Sequence, residues 1–184
     1  MKIAVVVGHS KTKVGRVNKE LNISEYELNE ELAKEIVKVL KDFKIDAVLV
    51  YRNKSYSQLP NDVNKTNCDY FISVHHNGFD DKSVNGTETL HWWKSKTSKK
   101  MAQYINDEMV KVLGYKDRGL KAIKKGHNGW PLLKRTKMAG VLIEPYFTSN
   151  DKAVLERQPQ VLAMRIVNGC LKFLNDTNPR WLKY

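Results

Sequence analysis

Three observations place this chain of 184 residues in the α/β class, with a mostly parallel central sheet of about five or six strands flanked by helices on both faces. Its strand candidates are nearly continuous apolar runs, as expected of strands covered on two sides. They alternate with segments of helical periodicity. Turn-forming residues punctuate the junctions. In order, "KIAVVVG" (2–8) is the first strand and "SEYELNEELAKEIVKVLKDF" (24–43) the first helix, with Leu28, Leu32, Ile36, Val39, Leu40 and Phe43 on one stripe. "IDAVLVY" (45–51) is the second strand, "SQLPNDVNKTN" (57–67) a weaker helix and "DYFISVHH" (69–76) the third strand. "GTETLHWW" (86–93) is the fourth strand, and "SKKMAQYINDEMVKVLG" (98–114) an amphipathic helix ending on a glycine stop. "AGVLIEPYF" (139–147) is the fifth strand, and two helices follow near 150–157 and 159–174. The longest loops expected are 82–87 and 123–137, and residues 175–184 lose periodicity and read as a linker or tail.

Composition narrows the function classes. The length suits one domain. No apolar stretch approaches the roughly 18 residues that span a bilayer, so membrane insertion is not expected. "MKIAVVVGHS" reads as a first strand and not as a signal peptide, so synthesis in the cytoplasm is expected. Cys68 and Cys170 have no C-x-x-C spacing and read as small buried hydrophobes. The net charge of +12 is spread along the chain and favours a polyanionic partner: nucleic acid, anionic lipid or an anionic cell wall. No nucleic-acid motif is present, and the aromatic residues are not interleaved with basic ones as a base-stacking surface requires.

Ligands of open parallel sheets bind at the carboxyl ends of the strands. There the chain places His9 after strand one, the pair His75–His76 after strand three and Glu144 after strand five. The first helix adds Glu25. Ser24 and Glu27 have the spacing of a capping box, which accounts for Glu27. Glu25 instead lies three residues before Leu28 and seven before Leu32, on the core-facing stripe, where a carboxylate needs a partner. Two imidazoles and a carboxylate are a common ligand set for catalytic zinc, with a further carboxylate, Glu144, free to act as a base. Strand alternation sends His75 and His76 to opposite faces without saying which faces the site.

These blocks resemble those of a known family. "VVVGHS", "SEYELNEELA", "NKTNCDYFISVHHNG", "GTETLHWW" and "VLIEPYFTSN" are similar, in order and register from about residue 3 to about 170, to zinc-dependent N-acetylmuramoyl-L-alanine amidases, the cell-wall amidases of bacterial autolysins and phage endolysins. The resemblance implies that His9, Glu25 and His75 hold one Zn²⁺ per chain, choosing His75 over His76, and that Glu144 is the catalytic carboxylate. It implies residues 1–174 as the catalytic domain. The implied reaction is hydrolysis of the amide joining N-acetylmuramic acid to L-alanine in peptidoglycan, with lysis of the wall. The chain departs from the family pattern in three places. "SKTKVGRVNKE" replaces a glycine-rich stretch, Asn61 or a neighbour stands for an arginine, and Tyr146 stands where glycine commonly follows. These bear on substrate preference more than on the metal set.

Two rival expectations remain: a zinc peptidase or carboxypeptidase acting on stem peptides, and a metal-free basic module that binds a polyanion. For the amidase, the expected partners are peptidoglycan and anionic wall polymers, with no nucleic acid, and the expected site of action is the wall, reached after release by lysis. Trp92–Trp93 is expected near the site edge, with one ring in the core and the other lining the cleft or stacked on sugar. His127, Asn128 and Trp130 lie in the long loop, with His127 expected to be exposed.

Overall fold

The computed structural model describes residues 1–178. Along the chain come β1 (Lys2–Val7), the short strands β2 (Val17–Asn18) and β3 (Ile23–Ser24), α1 (Glu25–Asp42), β4 (Asp46–Val50), α2 (Leu59–Asn64) and β5 (Tyr70–Val74). Then follow β6 (Thr87–Trp92), α3 (Lys96–Leu113), β7 (Asp117–Ile123), α4 (Trp130–Arg135), β8 (Ala139–Glu144), α5 (Asp151–Leu155) and α6 (Pro159–Thr177). Six strands form the central sheet in the order β4-β1-β5-β8-β6-β7, while β2 and β3 pair separately. The first four of that order are mutually parallel. β6 runs antiparallel to β8, and β7 is parallel to β6.

The apolar runs form these strands because both sheet faces are covered. Ile3 to Val7 are each 1% exposed or less. Alternation splits them: Ile3, Val5 and Val7 face the core shared with α1, α3 and α6, together with Ile72, Val74, Val141 and Ile143. Ala4 and Val6 face the opposite core, with Phe71, Leu90 and Leu142, beneath the short helices α2 and α4. The capping box at the start of α1 is present. Glu27 N–H donates to Ser24 Oγ at 3.3 Å, and Ser24 N–H donates to Glu27 Oε2 at 2.7 Å. Ser95 caps α3 one way, its Oγ accepting from the Ser98 N–H at 3.0 Å, and Gly114 closes it at φ 64°. Cys68 and Cys170 are buried, free and on opposite sides of the sheet.

Four expectations need correction. The segment 117–123 is a sixth strand: Leu120 packs on the core, but the run "DRGLKAI" carries too many polar residues to read as a strand. The loop expected over 123–137 contains α4, in which Pro131 opens a helix and Leu132 and Leu133 are buried. The last helix continues to Thr177, three residues past its expected end at 174 and into the expected tail, because Phe173 and Leu174 anchor its final turn; residues 179–184 of that tail lie outside the described residues. The end of β6 lies away from the site edge. Because β6 is antiparallel to β8, with His91 opposite Val141, Trp92 and Trp93 lie at the amino end of β8. Trp92 packs against the smaller core, and Trp93 is 45% exposed with Lys94 and Lys124 over its ring.

Candidate metal centre and cleft

The carboxyl ends of β1, β5 and β8 meet at one edge of the sheet. Parity decides the histidine pair. Phe71 belongs to the smaller core, so Ser73 and His75 share its face, while His76 shares the face of Ile72 and Val74. His75 therefore lines the cleft, and His76 turns beneath α1. There its Nδ1 donates to Asn29 Oδ1 at 2.8 Å, and its ring lies 4.4 Å from that of Tyr146. Burial pushes the His76 pKa down to about 3, so this ring is neutral and structural.

His9 reaches the site by a backbone conformation that side chains seldom adopt, φ 65°. Gly8, just before it, makes room for His75. A Cβ at Gly8 would lie 2.4 Å from the Val74 carbonyl oxygen and 2.6 Å from His75 Nε2. The Gly8 N–H donates to that same carbonyl, and the Asn29 amide donates to Gly8 O at 3.1 Å. Asn29 thus ties the His9 turn to the buried His76.

Glu25, in the first turn of α1, closes the set from the side. Its Oε2 lies 2.9 Å from His9 Nε2, and its Oε1 lies 3.0 Å from His75 Nδ1. Ligand atoms of the three residues all fall within 4.8 Å of one another, and among the described residues this is the one such cluster. The Arg16 and His76 backbone N–H groups also donate to the carboxylate, at 3.3 and 3.4 Å. Burial opposes the charge of Glu25. Hydrogen bonds from His75 and His9 outweigh it and hold the carboxyl well below its ordinary range. Gly15, at φ 76°, lies so close that a Cβ there would be 2.4 Å from Glu25 Oε2. Two imidazole nitrogens and one anionic oxygen, gathered this tightly at a half-open position, fit a divalent cation that prefers mixed nitrogen and oxygen donors.

Glu144 lines the same cavity of about 380 Å³ as His9, Glu25 and His75. Its Oε2 is buried without a hydrogen-bond partner. Burial, followed by the charges of Glu25 and Glu88, raises its proton affinity well above that of an ordinary carboxyl. Glu88 sits directly opposite Glu144 in the β6–β8 register. Glu88 is paired: Arg118 Nε donates to it at 2.7 Å and Asn77 Nδ2 at 3.0 Å. His9, Glu25, His75 and Glu144 are therefore all brought together. Asn128 also lines the cavity, whereas His127 is exposed and does not. Sequence reasoning gave no role to Asn29 or Glu88. Asn29, four residues after Glu25 on the buried stripe, was the available signal; Glu88 had none, because its position depends on cross-strand pairing.

Fold and site together define an α/β domain with a candidate metal centre at the carboxyl edge of its parallel strands. The chain belongs to the N-acetylmuramoyl-L-alanine amidase family, whose model matches residues 3–170. It is 31% identical over 148 residues to N-acetylmuramoyl-L-alanine amidase LytC of Bacillus subtilis (strain 168), a match covering 78% of this chain and 28% of that protein. It is 28% identical over 118 residues to the germination-specific N-acetylmuramoyl-L-alanine amidase of the same organism, covering 62% of this chain and 48% of that one. The chain thus spans less than half the length of either relative. Among solved structures, the N-acetylmuramoyl-L-alanine amidase from Clostridium difficile 630 superposes with a TM-score of 0.84 at 24% identity, covering 96% of this chain and 98% of that one. The likeness shows that the fold is shared.

Proposed function

We propose that this chain hydrolyses the amide between N-acetylmuramic acid and L-alanine in peptidoglycan, using one Zn²⁺ held by His9, Glu25 and His75, with Glu144 as the proton-transfer residue. One observation carries the proposal. Three ligand-type side chains from separate parts of the chain converge within 4.8 Å, in the cavity that also holds a carboxylate with a buried, unpartnered oxygen. Zinc in such a site would polarise the amide carbonyl and lower the pKa of a water towards about 7.

The protein's own residues supply the rest. Glu25 contributes negative charge to the cation site and keeps both imidazoles aimed at it. Asn29 and the buried, neutral His76 hold the backbone that presents His9 and His75. Glu144 takes the proton from the attacking water at its carboxylate and gives it to the departing amine of L-alanine as the carbon–nitrogen bond breaks. Its high proton affinity, set by burial and then by Glu25 and Glu88, suits a group that must capture a proton. The domain spans residues 1–174 in this reading. The charge of +12 gathers it on anionic wall polymers, where it acts.

The test joins metal to product. The expected result is one zinc per chain, loss of wall hydrolysis with chelator, its return with zinc, and release of intact stem peptides bearing a new L-alanine amino terminus. Shortened stems would assign a peptidase instead. Full activity without metal would end the zinc reading.

A further inference from the structure

Arg52 stands at the edge of the cleft with its charge unanswered. It follows β4, the strand beside β1, so its side chain reaches the same edge as His9. Among the residues lining the cavity of the candidate metal centre it is the one Lys or Arg. It also lines a neighbouring cavity of about 460 Å³ whose walls include Ser10, Lys11, Thr12, Tyr51, Asn53 and Glu30, the last paired with Lys34 at 3.3 Å. The guanidinium is therefore part of the wall between the two spaces. It is held there: Nη2 donates to Ser10 Oγ at 3.3 Å and to Lys13 O at 3.4 Å, and the group lies 5.9 Å from the centre of the Tyr56 ring.

Four other arginines are ion-paired: Arg118 and Arg165 meet the buried carboxylates of Glu88 and Glu108, and Arg16 and Arg157 meet the more exposed Asp80 and Glu31. Among the described residues, Arg52 has no carboxylate within ion-pair distance, and only its Nη2 donates to the protein. A half-buried guanidinium, preorganised by neutral acceptors and lacking an anion, has free N–H groups in the fork geometry that grips carboxylates.

We propose that Arg52 binds a carboxylate of the substrate's peptide arm, and that the polar cavity beyond it is the subsite through which this arm leaves the metal centre. The inference rests on the amidase reading and adds to it the part of the substrate that is recognised: an acidic peptide attached to the muramoyl group. Arg52 acts on binding and takes no part in proton transfer.

The test compares two soluble muramoyl peptides, one with free side-arm carboxylates and one with those carboxylates converted to amides. The zinc-loaded wild type is expected to favour the acidic substrate by ~10–100-fold in kcat/KM, the range of one charge-assisted hydrogen-bonded pair. In Arg52→Gln the ratio should collapse towards one, through a rise in KM for the acidic substrate. Arg52→Lys should recover part of the ratio. If Arg52 only braces the loop at Ser10 and Lys13, both substrates fall by the same factor and the ratio survives, which overturns the proposal. A wild-type ratio near one overturns it without any variant. A wild type that cleaves neither substrate, while zinc-loaded and folded, counts against the amidase reading itself.

Discussion

Gly15 and Glu144 leave little tolerance at the scale of single residues. Gly15 is in the left-handed region, and any side chain there would strike Glu25 Oε2. Gly15→Ala is expected to leave the core packed while lowering zinc affinity by at least ~10-fold, since displaced ligand geometry is a common cause of such losses. Competition against a chromophoric chelator measures it, and unchanged affinity would show that Glu25 is not a ligand. Glu144→Gln keeps the shape but cannot accept the proton. It should retain the fold and stoichiometric zinc while kcat falls by ~10²–10⁴-fold. At this scale the sequence showed a good deal. His9, Glu25 and Glu144 were readable from residue type and place, and the capping box was readable from spacing alone. The choice between His75 and His76 was not, because alternation states only that they differ. Which of them faces the cleft depends on how β5 sits between two cores.

Helices α3 and α6 illustrate stabilisation between elements. Glu108 is 4% exposed in α3 and receives Lys172 Nζ at 2.6 Å and Asn168 Nδ2 at 2.8 Å from α6, with Arg165 Nη1 at 3.7 Å. Burial alone would raise the Glu108 pKa, but the hydrogen bonds from Lys172 and Asn168, with the charges of Lys172 and Arg165, hold it below 4.5. The sign follows. A carboxyl whose folded pKa is depressed stabilises the protein fully above its unfolded pKa and loses that contribution as pH falls through the folded value. Glu108→Gln should therefore be less stable than wild type at pH 7 by ~1–3 kcal/mol, since it leaves buried partners unmatched. The gap should narrow as pH drops below about 4.5, the ordinary carboxyl value. Denaturant midpoints at constant m across pH 3–7 check this, and a gap that does not change with pH would refute it. Helix periodicity revealed α1, α3 and α6 readily, because three-residue and four-residue apolar spacing is a local property. The weaker helix expected over 57–67 is present as α2, whereas α4 is too brief for periodicity to separate it from a loop.

Charge acts on the molecule as a whole. With +12 spread along the chain, the proposed attraction to an anionic wall would be long-ranged and sensitive to salt, since the screening length falls from about 10 Å at 0.1 M to 3 Å at 1 M. Binding of the Glu144→Gln protein to isolated walls is expected to weaken steeply between low and high salt. The variant is used so that the walls stay intact during the measurement. Salt-independent binding would assign retention to shape and hydrogen bonding in the cleft instead. Trp93, exposed among lysines at the far edge of the sheet, would be part of this diffuse surface and not of the cleft.

By itself the sequence determined the α/β class, the positions of most elements, and the residue types gathered at the strand ends. Each follows from local spacing, which a chain carries wherever it folds. The tertiary structure alone decided the direction of β6 and β7, and with it the removal of Trp92 and Trp93 from the site and the placing of Glu88 opposite Glu144. It also decided that Arg52 stands unpaired between two cavities. Strand direction and the separation of charges depend on contacts between residues far apart in the chain, and no local pattern encodes them.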